Sequence, residues 1–150
     1  MSEMLDMLER ENPGCFAPES TFLEPTCGDG AFVVEILRRK FERCRRRADY
    51  TSCLRSVYAM ELQADNVERC IRNVEALCEG YFRPTKQERE IIRNHIIQAD
   101  ALKVMRMMAD PALEGPLAVH SDVPAVHGGI CGEAADQAVL CVQGAVECEH

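Results

Sequence analysis

Leu23-Glu24-Pro25-Thr26-Cys27-Gly28-Asp29-Gly30-Ala31-Phe32 is the stretch whose reading decides the fold. On its N-terminal side, Thr21-Phe22-Leu23-Glu24 is a short apolar run bounded by Pro25, which predicts a buried strand. Gly28-Asp29-Gly30 turns the chain. On its C-terminal side, Val33, Ile36, Leu37, Phe41 and Cys44 step at helical spacing, which predicts a helix over 31–47. Glu35, Arg38, Arg39, Glu42 and Arg43 form its polar face. A strand that ends in a glycine turn and opens a helix is a device for bringing a ligand close to backbone. Gly28 and Gly30 permit positive φ and leave no Cβ in the ligand's way. The ends of such strands border the crevice where open α/β sheets bind their ligands.

Working outward, Met4, Leu5 and Leu8 predict an amphipathic helix over 3–11, ended by Asn12-Pro13-Gly14. Ser56-Val57-Tyr58-Ala59-Met60 reads as the next strand, ending at Glu61. Val67, Cys70, Ile71, Val74, Leu77 and Cys78 line one face of a second long helix, with capping-box spacing at Asp65 and Glu68 and Gly80 placed to close it. Thr85 and Glu88 repeat the capping signal for a helix to about Arg93. His95-Ile96-Ile97-Gln98 is a third strand, followed by Ala99-Asp100-Ala101-Leu102 and a helical piece over 103–108. The alternation predicts an α/β fold with a parallel sheet, right-handed crossovers and helices on both faces.

The composition breaks near Asp110-Pro111, which sets a domain over 1–110 and an atypical acidic tail over 111–150, expected to lie outside the fold. All 17 Lys and Arg lie between Arg10 and Arg106, among acids that nearly balance them, whereas Met107–His150 has none. Within the tail, only Ala138–Val142 reads as a candidate strand fragment. A length of 150 residues suits one small domain. No run approaches the roughly 20 apolar residues that span a bilayer, and Met1-Ser2-Glu3-Met4 lacks a secretory pattern, so a cytoplasmic protein without membrane partners is expected. The 9 cysteines form no C-x-x-C pair, and no zinc spacing is present, so reduced thiols and no metal are expected. A net charge of −8 argues against tight non-specific nucleic-acid binding by this chain alone.

Three ligand classes compete for the glycine turn. A mononucleotide P-loop needs G-x-x-x-x-G-K-[ST], which is absent from the sequence. A dinucleotide site wants G-x-G-x-x-G, and the third glycine position is Val33. S-adenosylmethionine carries no phosphate; its ammonium and sulfonium favour nearby acids, and Glu24 and Asp29 supply that sign of charge.

The string E-P-x-x-G-D-G-x-F after a strand, Glu24 to Phe32, resembles motif I of class I S-adenosylmethionine-dependent methyltransferases, notably the adenine-N6-specific DNA methyltransferases of restriction-modification systems. The resemblance spans roughly Met4 to Met108 in element order and is sharp at residues 21–37 and 57–66. It implies a Rossmann-like class I methyltransferase sheet, here incomplete, and transfer of a methyl group to adenine N6 in DNA. It implies further that Glu24, Pro25, Gly28, Asp29, Gly30 and Phe32 belong to the cofactor site, the two glycines wrapping the methionine part and the two acids near its amino group. Glu61 would accept hydrogen bonds from the ribose hydroxyls and Leu62 would lie against the adenine ring. Asp100, with Ala101 beside it, would accept a hydrogen bond from the adenine amine. The alternative for each acid is a helix cap or a solvated loop charge.

The departures concern catalysis. The family holds its target amine with an Asn/Asp/Ser-Pro-Pro-Tyr/Phe/Trp loop, but none of the 7 prolines here adjoins another. Asp110-Pro111-Ala112-Leu113 is the nearest string. No catalytic residue is therefore assigned, and the chain reads as a fragment cut at both ends, inactive alone. DNA would be a partner of the intact enzyme, with a missing C-terminal half or a restriction subunit completing it. A non-catalytic cofactor- or partner-binding remnant, or a methyltransferase acting on RNA or protein, is the alternative. Arg43 and Arg45–Arg47 read as residues closing a helix rather than as DNA contacts. His120, His127, Cys131 and Cys141 match no zinc pattern, and Cys27 reads as a small turn residue.

Overall fold

The computed structural model describes residues 2–109 and 140–142. Its elements are α1 (Ser2–Glu11), β1 (Thr21–Glu24), α2 (Ala31–Phe41), α3 (Arg47–Arg55), β2 (Val57–Glu61), α4 (Ala64–Tyr81), α5 (Lys86–His95), β3 (Ile96–Gln98), α6 (Ala101–Ala109) and β4 (Leu140–Val142). The strands lie in the order β3-β2-β1-β4. β1, β2 and β3 are parallel, in the registers Phe22↔Val57, Glu24↔Ala59 and Ala59↔Ile96. β4 runs antiparallel to β1, Phe22 opposite Cys141. These residues are the described part of the segment 111–150; the proposed boundary near Pro111 lies outside the described residues.

The parallel register decides which side chains share a face, because paired residues point the same way. Phe22, Val57, Glu24, Ala59 and Ile96 fall on one face, and all are buried. Val33, Ile36 and Leu37 of α2 and Val67, Cys70, Ile71 and Val74 of α4 join these apolar residues in one core. Full burial of a side chain such as Phe22 stabilises by about 1.5–3 kcal/mol. β1, β2 and β3 step across the sheet in one direction, and α2 packs against α4 while α3 packs against α5. Crossovers of one hand stepping one way share one face, so these helices form a single layer rather than covering both faces.

The first crossover carries two helices where the periodicity predicts one, and the second carries the two that it predicts. The helix expected over 31–47 ends at Phe41. There Glu42 donates its N–H to the Arg38 and Lys40 carbonyls, and the chain bends through 42–46. The Asp49 carboxylate accepts the Arg45 and Arg46 N–H groups, at 2.9 Å each, and opens α3. Hydrogen bonds to the charged form hold the Asp49 carboxyl below the usual carboxylate range. Arg45–Arg47 thus precede or begin a helix instead of closing one. α3 offers little apolar pattern, with Tyr50, Cys53 and Leu54 as its core-facing residues.

At α4 the expected Asp65–Glu68 box is not used; Gln63 occupies the N-cap without a side-chain bond. Gly80 lies inside the helix, and Phe82 ends it by turning extended. The Thr85–Glu88 box does form, with Glu88 N–H donating to Thr85 Oγ1 at 3.2 Å and Thr85 N–H to Glu88 Oε2 at 2.8 Å.

Two buried cations hold the N-terminal part on the core. Arg39 of α2 pairs with Glu35 and with Asp6 of α1, at 2.9 and 2.6 Å. Lys40, fully buried, donates to the Ala17 and Ser20 carbonyls at 2.6 Å each. Its charge is taken up by those carbonyls and by the Phe22 ring, 5.5 Å away. No helix among the described residues is long and apolar enough to cross a membrane.

Candidate cofactor-binding site

The glycine turn stands at the C-terminal edge of the parallel strands, where several long-range contacts hold it. Cys27 donates its N–H to the Met60 carbonyl at 2.9 Å, and Gly30 N–H closes the turn onto Cys27 O at 2.8 Å. Gly28 N–H donates to Glu61 Oε2 at 2.9 Å. Asn73 of α4 donates Nδ2–H to the Asp29 carbonyl, also at 2.9 Å. The turn is therefore tied to β2 and to α4.

Gly28 and Gly30 both have positive φ, +54° and +92°. Their reasons differ. A Cβ on Gly28 would meet open space, whereas one on Gly30 would stand 2.5 Å from Cys70 Sγ and 3.0 Å from Cys70 Cα. Gly30 is needed because α4 crosses directly against the turn, and Gly28 is the glycine that leaves room outside it. Beneath them, the Cys70 thiol contacts Cys27, and that contact together with burial holds Cys70 above the usual thiol range.

Glu24 ends β1 on the helix-covered face and is 1% exposed. Its Oε1 accepts from Thr26 N–H at 3.0 Å and Thr26 Oγ1 at 3.4 Å. Its Oε2 has no hydrogen-bond partner among the described residues. Burial pushes the carboxyl above its usual range against the lowering effect of Thr26. Groups this deep are rarely left unmatched.

Glu61 ends β2, and each oxygen accepts one backbone N–H, Oε2 from Gly28 and Oε1 from Gln63, at 2.9 Å each. An ionised carboxylate offers about four acceptor positions, so capacity remains on both oxygens. Leu62 is 65% exposed. Ala99 N–H donates to the Glu61 carbonyl and Gln98 Nε2–H to the Leu62 carbonyl, each at 3.0 Å, which brings the end of β3 beside the end of β2. Asp100 Oδ1 accepts the Lys103 N–H at 3.2 Å and so caps α6, whose first residue is Ala101.

Of the residues singled out by sequence, the structure thus gathers Glu24, Gly28, Asp29, Gly30, Glu61, Leu62, Asp100 and Ala101 at one end of the sheet. Pro25 and Phe32 are buried, Phe32 within the core cluster. Asn73 and Cys70 were not singled out for the site. Cys70 was legible only as part of the apolar stripe, and Asn73 lies beside that stripe with no local signal marking it.

Other sequence candidates are occupied elsewhere. Arg43 pairs with Glu9, Arg46 with Asp49 at 3.0 Å, and Arg47 with Glu88 at 2.6 Å. A cavity of about 10 Å³ among Val33, Leu37, Val57 and Ile96 has room for about one water and lies in the core, away from the turn. Among the described residues no cluster of His, Cys, Asp and Glu could hold a metal. His120, His127 and Cys131 lie outside them, and Cys141 is described only through its place in β4. The chain matches no protein-family model, no curated protein and no solved structure.

Proposed function

We propose that the chain forms the S-adenosylmethionine-binding part of a class I methyltransferase, with its sheet a partial Rossmann-like one. By resemblance of motif I, the enzyme class is the adenine-N6-specific DNA methyltransferases. The observation that carries this reading is the unpartnered, buried Glu24 Oε2 beside the glycine turn. A ligand with an ammonium group fits it, because a charge-assisted hydrogen bond would offset the cost of burying that oxygen.

The remaining groups suit the same ligand. α2 opens after its N-cap Gly30 with no side-chain cap and no acid in its first turn, so its N-terminal N–H groups suit a carboxylate. An amino-acid zwitterion presents both charges, and the methionine part of S-adenosylmethionine is one. Glu61 has acceptor capacity left for the ribose hydroxyls, Leu62 offers an exposed apolar surface to the adenine ring, and the open space at Gly28 lets the ligand approach backbone. When bound, the cofactor supplies an electrophilic methyl group on a sulfonium. The chain's own residues bind and orient; the sequence contains no Pro-Pro loop to hold an acceptor amine.

That absence favours a second reading, a cofactor- or partner-binding module without turnover. An RNA or protein acceptor in place of DNA is compatible with the same motif. The test of the binding claim is calorimetry with S-adenosylmethionine. Weak, saturable heat is expected, lost in Glu61→Ala at a pH where circular dichroism shows the variant folded. Binding unchanged in that variant would remove the ribose role and with it the reading.

A further inference from the structure

We propose that Cys44 and Cys53 form a dithiol–disulfide site, which a disulfide oxidant closes to tie the bend after α2 onto α3. The two sulfurs stand 3.5 Å apart. A bonded pair needs about 2.05 Å, so closure takes a shift of about 1.5 Å. Cys44 lies in the bend between the helices and is half-buried, whereas Cys53 is fully buried in α3. This asymmetry assigns the order of events: the oxidant meets Cys44 first and Cys53 resolves.

The step balances as two exchanges. Cys44 gives up its proton and its sulfur attacks one sulfur of oxidised glutathione, releasing one glutathione thiol and leaving a mixed disulfide. Cys53 then gives up its proton and attacks the Cys44 sulfur, and the second glutathione leaves as a thiol. Two protein thiols are oxidised, and the two electrons and two protons reduce one glutathione disulfide to two thiols.

The surroundings of the pair slow this exchange. Burial is the largest influence on both thiols and holds them above the usual thiol range. Asp49 and Glu19 add to this at Cys44, and the Lys40 ammonium opposes it at both sulfurs. A smaller thiolate fraction slows attack on a disulfide, and an excess of oxidant drives closure. The proposal is independent of any cofactor reading, because α2 separates this bend from the glycine turn.

The test incubates the full chain with excess oxidised glutathione, alkylates the remaining thiols and maps the peptides by mass. The expected product is a Cys44–Cys53 linked peptide that dithiothreitol removes, with a thermal midpoint that rises on oxidation and falls back on reduction. In C53S, Cys44 should accumulate as a glutathione adduct, and in C44S, Cys53 should stay free to alkylate after unfolding. A stable glutathione adduct on Cys44 in the unsubstituted chain overturns the proposal. So does pairing of Cys44 with another cysteine, or recovery of both thiols unreacted. The peptide map of the unsubstituted chain decides the matter even if either variant fails to fold.

Discussion

Replacing Glu24 by Gln keeps the side chain's shape and its bond from Thr26 while removing a buried charge. Glu24 binds its proton more tightly in the folded chain than in the unfolded one, because burial raises its pKa above 4.5. Its contribution to stability is thus fully present below 4.5 and is lost as pH rises through the higher folded value. A buried carboxylate oxygen without a partner costs more than a neutral amide in the same place, by about 1–3 kcal/mol, because the charge itself is desolvated. At pH 7.5 the ligand-free Glu24→Gln chain should therefore be more stable than the parent by about 1–3 kcal/mol, or roughly 4–12 °C in melting temperature. Near pH 4 the two should melt together. Ligand binding should move the opposite way. A lost charge-assisted hydrogen bond of about 1.5–3 kcal/mol weakens S-adenosylmethionine by roughly ten- to a hundredfold. Scanning calorimetry at several pH values, with and without cofactor, reads both effects. A parent chain that gains on the variant as pH rises without ligand would refute the argument that Glu24 Oε2 is an uncompensated buried charge.

The two glycines of the turn should separate on substitution. Gly30→Ala strains φ and drives a Cβ into Cys70, so a urea midpoint should report a loss of about 2–5 kcal/mol; Gly28→Ala, facing open space, should lose only about 1–2 kcal/mol. Equal losses would mean that α4 does not crowd the turn. Glu88, buried, has its carboxyl lowered to about 2, chiefly by Arg47, which outweighs the opposing effect of burial, with Thr51 and Thr85 adding to it. Stability from Glu88 is present above 4.5 and lost as pH falls through about 2, so Glu88→Gln should cost about 1–3 kcal/mol at pH 7 and flatten acid unfolding followed by circular dichroism. Finally, incubation with tritiated S-adenosylmethionine and adenine-containing duplex should leave no label in DNA; clear incorporation would show that some residue replaces the missing Pro-Pro loop.

What the sequence by itself determined is what near neighbours decide. The strand at 21–24, the glycine turn and the start of α2 follow from an apolar run, two glycines and a helical stripe within about 20 residues. Thr85 and Glu88 cap α5 as their spacing foretells, since both partners lie in one turn of chain. The parallel α/β arrangement follows from the alternation of elements. The break of the predicted 31–47 helix at Phe41 did not follow, because α3 has a sparse stripe and is held by Arg47 reaching Glu88, 41 residues away. The chemistry of the site also came from tertiary structure. Gly30 owes its identity to Cys70, the turn its position to Glu61 and Asn73, 33 and 44 residues from their partners, and Glu24 its unmatched oxygen to burial under the helix layer. A motif names the residue types that a strand end and a turn require. Which of them face a ligand, cap a helix or fill the core depends on what packs against them, and that is set by contacts between segments far apart in the chain.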